Sequence, residues 1–351
     1  MINFTVGPVQ ESEEVLKIGA QRTPYFRNKS FSKIMLENED MMITLSGAPK
    51  GSRVVFLTAS GTGAMEAAVM SAFYENDKVL VIDGGNFGHR FVQLCQLHNI
   101  VHEALEVPID EDLTMEMLIK YENKGFTGLL INMNETSIGK LYDMKLVSEF
   151  CSKNNLFLIV DAISAFIADE INVDNWGIDM LIVSSQKALA VPPGISAIVM
   201  SPKALNRIDN SAPKTMYFDL KEALKNGERG QTPFTPAVSI LLQVHERLAS
   251  LIEKGIEKER EQISGYADMF RQGIADLPIT VPNYKLSNAV TPIYFDKENA
   301  YEVFLKLESE YGIWLCPSGG VEKNVRLRVG HLGDLTKDEV QKLIDVLHQI
   351  V

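Results

Sequence analysis

Cysteine is scarce in this chain. Cys95, Cys151 and Cys316 stand far apart among 351 residues, with neither a CxxC pair nor an even framework. That pattern excludes a disulfide-built scaffold and a paired-cysteine zinc site, so the three thiols read as reduced and no metal is expected. Long apolar runs are lacking as well, and none approaches the roughly 20 residues of a membrane span. The opening MINFTVGPVQESEE has neither the basic start nor the apolar stretch of a secretory leader, and a cytoplasmic location is expected. Basic charge is in deficit: 34 Lys and Arg face 46 Asp and Glu, a formal net charge of −12. This argues against nucleic acid or anionic lipid as partners, while a local basic pocket for one anion stays open. Repeats and low-complexity tracts are missing too.

What is present is an ordinary globular composition, 46% hydrophobic and 23% charged, with enough length for a large core and two domains. Strand-like runs recur at VVFLTAS (54–60), KVLVIDG (78–84), GLLINMN (128–134), LFLIVDA (156–162), DMLIVSS (179–185) and ISAIVMS (195–201). Several are apolar at consecutive positions, as expected of strands covered on both faces. Helix-like stretches such as GTGAMEAAVMSAFY and MKLVSEFCSKN lie between them, the pattern of a parallel α/β domain with right-handed crossovers. Beyond Pro236 a long amphipathic stretch begins, with a break expected near Gly255. The remainder suggests a smaller α+β domain of helices on an antiparallel sheet. The divisions expected are an N-terminal segment (1–14), a large α/β domain (15–245), and a connecting helix with a small C-terminal α+β domain (246–351).

Open α/β sheets bind ligands beyond the carboxyl ends of their strands. Ser60, Gly61 and Thr62 follow VVFLTA and open a helix, so they read either as a simple N-cap or as an anion cup. Asp161 ends LFLIVDA, where a carboxylate needs a cation or several donors; it reads as a loop anchor or as the partner of a protonated ring nitrogen. Lys187 in SSQKALAVPPG, with Gln186 beside it, is either a snorkelling side chain or a nucleophilic amine. Thr136 and Ser137 follow GLLINMNE and carry hydroxyl donors. Phe87 offers a flat apolar face. A phosphate cup, a buried carboxylate, an aromatic face and an amine at neighbouring strand ends together meet the needs of pyridoxal 5′-phosphate.

The chain resembles the class V, fold type I aminotransferases, in the group of alanine:glyoxylate, serine:pyruvate and 2-aminoethylphosphonate:pyruvate enzymes. The resemblance runs from the N-terminal VGP to LRVGHLG and is most specific at SSQKALAVPPG. It implies a large domain with a mainly parallel sheet between helices, and a smaller C-terminal α+β domain. It implies Lys187 as the Schiff-base lysine and proton carrier, and Asp161, in IVDAISAF, on the pyridine nitrogen. Ser60, Gly61 and Thr62, in ASGTGAMEA, would supply phosphate donors, with Gln186 as a further phosphate contact. Thr136, in NETSIG, would reach the phenolic oxygen, and Phe87, where many relatives have tryptophan, would stack on the ring. GQTPFTPAV resembles the segment that crosses to a second subunit, which implies Thr235 on the partner's phosphate and a homodimer with shared sites; Thr232 stands where some relatives carry tyrosine. Arg328, in RLRVGHLG, would hold the substrate's acidic group with its guanidinium fork. The activity implied is ping-pong transfer of an amino group from alanine, serine or 2-aminoethylphosphonate to pyruvate or glyoxylate.

Other readings compete. A cysteine desulfurase shares this fold and needs a mobile cysteine, for which Cys316 is the candidate, although Gln186 and Phe87 stand where desulfurases usually have histidine. ASGTG is not the GxGxxG of a dinucleotide site. A noncatalytic α/β binding protein stays open. Cys95, His98 and His102 have a metal-like spacing, but the helix is expected to end near Asn99, before His102. The run Glu257 to Glu261 reads as a solvated helix face. Arg22 and Arg27 read as substrate-mouth residues or as surface ion pairs.

Overall fold

A computed structural model describes all 351 residues. In chain order the larger part comprises β1 (Ile2–Asn3), α1 (Glu13–Gly19), α2 (Lys29–Ser46), β2 (Arg53–Leu57), α3 (Gly61–Ala72), β3 (Lys78–Asp83), α4 (Asn86–Leu97), β4 (Val101–Glu106), α5 (Met115–Ile119), β5 (Gly128–Asn132), β6 (Asn134–Glu135), β7 (Lys140–Leu141), α6 (Met144–Lys153), β8 (Phe157–Asp161), β9 (Met180–Ser184), β10 (Ser196–Met200), α7 (Pro202–Asp209) and α8 (Leu220–Gly227). There follow α9 (Val238–Lys254), α10 (Ile256–Gly273), β11 (Ile279–Thr280), β12 (Val290–Phe295), α11 (Ala300–Tyr311), β13 (Ile313–Trp314), β14 (Cys316–Pro317), β15 (Arg326–Gly330) and α12 (Lys337–Ile350).

Seven strands form the main sheet in the order β2-β10-β9-β8-β5-β3-β4. The consecutive apolar positions have a direct cause: alternate residues enter different cores. Leu129, Ile131, Leu158, Val160, Leu181 and Val183 join one cluster, with α2, α6 and α9. Leu130, Phe157, Ile159, Met180 and Ile182 join the other, with α3 and α4. The period-2 geometry of a strand sends neighbours to opposite faces, and both faces here are roofed by helices. No helix is long and apolar enough to cross a membrane.

Two features depart from the sequence expectation. The strand β10, read as one more parallel member, runs antiparallel to both β9 and β2. The edge strand β4 was not anticipated; VHEALE is half-exposed along most of its length and lacks the apolar run of its neighbours. His102 therefore lies on β4, with its ring Nδ1 2.8 Å from the Ile100 carbonyl, while His98 caps α4 and faces Glu66 at 3.0 Å. The two histidines do not share a helix face.

The long amphipathic stretch divides at Gly255, whose φ of 88° separates α9 from α10. Beyond it, β11-β12-β15-β14 form an antiparallel sheet against α10, α11 and α12. The first residues of the chain are bound into this region: β1 pairs in parallel with β13, Phe4 is fully buried in the small core, and Gly330 N donates to Phe4 O at 2.7 Å.

Candidate active site

The carboxyl ends of β2, β3, β5, β8 and β9 open on one edge of the main sheet, and the residues singled out from the sequence lie there. Ser60 is the N-cap of α3, its hydroxyl accepting from Gly63 N at 3.4 Å. Gly61 is closely covered: a Cβ would lie 2.3 Å from Ile163 Cδ1, displacing that side chain, and 3.6 Å from Ser184 Cβ. The first turn of α3 is thus pressed against the ends of β8 and β9, with free N–H groups at the positive end of the helix dipole.

Asp161 is the last residue of β8 and is 6% exposed. It accepts one hydrogen bond, from Ile163 N at 2.8 Å, and has no ion-pair partner. Burial therefore pushes its carboxyl up from 3.8 to about 6. On the next strand end, Lys187 donates to the carbonyl of Val6 at 2.5 Å, and burial lowers its amine from 10.5 to about 8. A lysine so placed is about one-tenth neutral at pH 7, far more than an ordinary lysine, and the neutral amine is the nucleophilic form. Gly7 makes this approach possible, since a Cβ there would stand 2.6 Å from Lys187 Cδ. Gln186 accepts from Ser184 Oγ at 2.7 Å, which leaves its amide donors free.

Arg328 comes from β15 of the small sheet. Its Nη1 reaches Thr136 O at 3.3 Å, while its buried Nε has no partner. Arg326, two residues earlier on the same face, is consumed by Glu322, Ser318 and Tyr294. Of the two arginines in RLRVG, only Arg328 keeps an unspent buried donor. Cys316 is its register partner on β14 and accepts from Val6 N at 3.3 Å. The thiol sits on a strand, held by a backbone donor.

Several residues are engaged differently from expectation. Thr136 Oγ1 is 2.7 Å from Ser164 Oγ, so its hydroxyl is shared within the chain. Ser137 Oγ donates to Glu135. Thr232 is buried and donates to Phe234 O at 2.7 Å, turned inward to hold its own loop. Thr235 is exposed in the single chain. Arg27 is spent on Gln231 Oε1 and the carbonyls of Thr232 and Pro233; it braces this loop and makes no ion pair. Arg22 is exposed.

Two residues had not been singled out. Glu135 is fully buried and accepts from Phe87 N and Gly88 N, both at 3.0 Å, from Asn132 Nδ2 at 3.0 Å, and from the backbone and hydroxyl of Ser137. The N-cap of α4 is Gly85, which has no side chain to cap the helix, so Glu135 caps it from another strand end. It thereby fixes Phe87 relative to the Thr136 loop. Arg90, one turn after Phe87, holds its guanidinium 5.0 Å from the Phe87 ring centroid and donates to Thr62 Oγ1 at 2.9 Å. The sequence signal for Glu135 was its place inside NETSIG, between two hydroxyl-rich positions and a strand end.

An uncompensated buried carboxyl, a depressed lysine, a closely covered helix-end cup and an unspent guanidinium fit a ligand with a protonated ring nitrogen, an aldehyde and a phosphate. Pyridoxal phosphate is such a group. The comparisons agree. Residues 14–320 match the family Aminotransferase class-V. The L-aspartate–glyoxylate aminotransferase of Paracoccus denitrificans is 27% identical over 95% of this chain and 86% of its own length. The soluble hydrogenase 42 kDa subunit of Anabaena cylindrica is also 27% identical, over 98% and 91%. The solved structure of a subgroup IV aspartate aminotransferase from Thermus thermophilus superposes with a TM-score of 0.91 at 25% identity, covering 100% of both chains. The chain belongs to the class V aminotransferases, which are pyridoxal-phosphate-dependent, fold type I enzymes.

Two predictions follow from this geometry. In the cofactor-free chain, Asp161 stays protonated in the folded state up to about pH 6 but ionises near 3.8 when unfolded. Its contribution to stability is therefore complete below about pH 4 and is lost as pH rises through 6, by about 3 kcal/mol in all. Asp161→Asn should remove that slope in urea melts between these limits; parallel pH profiles for the two proteins would contradict it. Glu135→Gln places amide N–H groups against backbone N–H donors. A loss of about 1–3 kcal/mol in unfolding free energy is expected, together with weaker cofactor retention; wild-type values for both would refute the capping role.

Proposed function

We propose that this class V aminotransferase moves the amino group of a small donor, alanine, serine or 2-aminoethylphosphonate, to pyruvate or glyoxylate by a ping-pong mechanism. The observation that carries the substrate class is Arg328: a half-buried guanidinium with an unbonded Nε and no carboxylate partner, near Lys187 and Thr136. A guanidinium left unpaired in such a place is costly, and a substrate carboxylate or phosphonate relieves the cost bidentately. The Paracoccus relative is an L-aspartate–glyoxylate aminotransferase, which supports glyoxylate as the acceptor.

Pyridoxal phosphate, when bound, supplies the aldehyde that holds the amino group and the ring that accepts electron density from the α-carbon. The chain's own residues do the rest. Lys187 Nζ, eased toward neutrality by burial, would take the proton from the substrate α-carbon and deliver it to the cofactor's former aldehyde carbon in the same half-reaction, and would carry out the reverse transfer in the second. Asp161 ionises against the ring nitrogen and keeps it protonated. Ser60, Gly61, Thr62 and Gln186 would hold the phosphate, Phe87 would support the ring, and Thr136 would bind the phenolic oxygen in exchange for its Ser164 partner. Thr235, exposed on its own chain, reaches across to a second copy in a homodimer with shared sites.

Cys316 supports a different chemistry less well. Its sulfur is tied to Val6 N on a paired strand, where a desulfurase needs a mobile thiol.

The test is an absorption spectrum of the purified protein, repeated with L-alanine, L-serine, L-aspartate and 2-aminoethylphosphonate, followed by initial rates with pyruvate and glyoxylate. One donor should convert the lysine-bound form of the cofactor to its amine form, with parallel double-reciprocal lines, and Lys187→Ala should abolish turnover. Intersecting lines, or normal turnover by the alanine variant, would overturn the mechanism.

A further inference from the structure

The phosphate end of the proposed site contains a cation that no acidic group neutralises. Arg90 lies on α4 one turn beyond Phe87, and its backbone is fixed through the Glu135 cap at the start of that helix. Its neighbour His89 is paired with Asp83 at 2.8 Å, whereas Arg90 has a hydroxyl and an aromatic face as its partners, Thr62 Oγ1 at 2.9 Å and the Phe87 ring. The guanidinium is also close enough to Asp161 to hold that carboxyl lower than burial alone would leave it. Arg90 thus stands between the first turn of α3, the aromatic face and the strand-end carboxyl.

The hydrogen bond to Thr62 has a chemical consequence. A hydroxyl that receives an N–H on its oxygen has its own hydrogen left to give, so Arg90 presets Thr62 as a donor. Its remaining N–H groups, in a rigid planar fork, match the geometry of a phosphate. Thr232, where some relatives carry tyrosine, spends its hydroxyl on Phe234 O. We propose that Arg90 is a phosphate-binding residue of this site: it orients the Thr62 hydroxyl, adds the positive charge the cup otherwise takes only from the helix dipole, and steadies Phe87 through its face. This rests on the reading that residues 60–62 hold the phosphate of pyridoxal phosphate.

The test titrates cofactor-free wild type, Arg90→Lys and Arg90→Met with pyridoxal phosphate and, separately, with pyridoxal, following the absorbance of the lysine-bound form at low and high salt. Arg90→Met should weaken pyridoxal phosphate binding about ten-fold or more, the loss expected for a hydrogen bond to a charged group. Arg90→Lys, which keeps charge without the fork, should fall between and restore salt dependence. Pyridoxal affinity should fall far less than pyridoxal phosphate affinity in both variants, because pyridoxal loses only the support of Phe87. Wild-type affinity for pyridoxal phosphate in both variants would overturn the inference, and so would equal losses for pyridoxal and its phosphate, which would leave Arg90 serving Phe87 alone. Failure of the wild type itself to bind pyridoxal phosphate would overturn the underlying reading of the site, an outcome distinct from either.

Discussion

A carboxyl group at the carboxyl end of β8, buried with one hydrogen bond and no ion-pair partner, constrains much of what surrounds it. Ionisation of Asp161 in this setting costs about 3 kcal/mol, a sizeable fraction of the stability of a typical domain. The fold accepts this cost where it has an obvious alternative, an apolar residue like the others of β8. The same holds for Arg328, with its unbonded Nε, and for Lys187, whose amine is held by one backbone carbonyl. Three groups, each poorly satisfied alone, meet at the edge where the strand ends open. A ligand of complementary charge would relieve all three.

Holding such groups in register is the task of the surrounding polar framework. Glu135 joins β5, the start of α4 and the Thr136 loop through five accepted hydrogen bonds. The opening residues act from the other side. Phe4 is anchored in the small core, Val6 offers its carbonyl to Lys187 and its N–H to Cys316, and Val9 N donates to Gln186 O at 3.2 Å. These few residues tie the small sheet to the lysine.

The strands that carry the site were legible because burial on both faces leaves an unmistakable apolar run; LFLIVDA and DMLIVSS ended within one residue of their observed limits. Direction was not legible, since the fully buried ISAIVMS reads the same whether parallel or antiparallel. The edge strand Val101–Glu106 was hidden because one side of it meets solvent. Asp161 and Lys187 were visible as charges at the ends of apolar runs, whereas Arg328, in the middle of RLRVG, was visible only through the family resemblance. Glu135 and Arg90 were not, because their meaning comes from partners 28 to 48 residues away, and a glutamate or arginine in a turn has many ordinary uses. Thr232 and Arg27 illustrate the converse: residues in suggestive places that the fold spends on bracing a loop.

The central claim is that Lys187 Nζ is the covalent point of attachment, poised by its burial between Asp161 and Arg328. Borohydride reduction of the cofactor-loaded protein followed by peptide mass mapping tests it most directly. The account predicts a single pyridoxyl addition on the peptide containing SSQKALAVPPG, at Lys187; addition at another lysine, or no addition under reducing conditions with the cofactor bound, would contradict it.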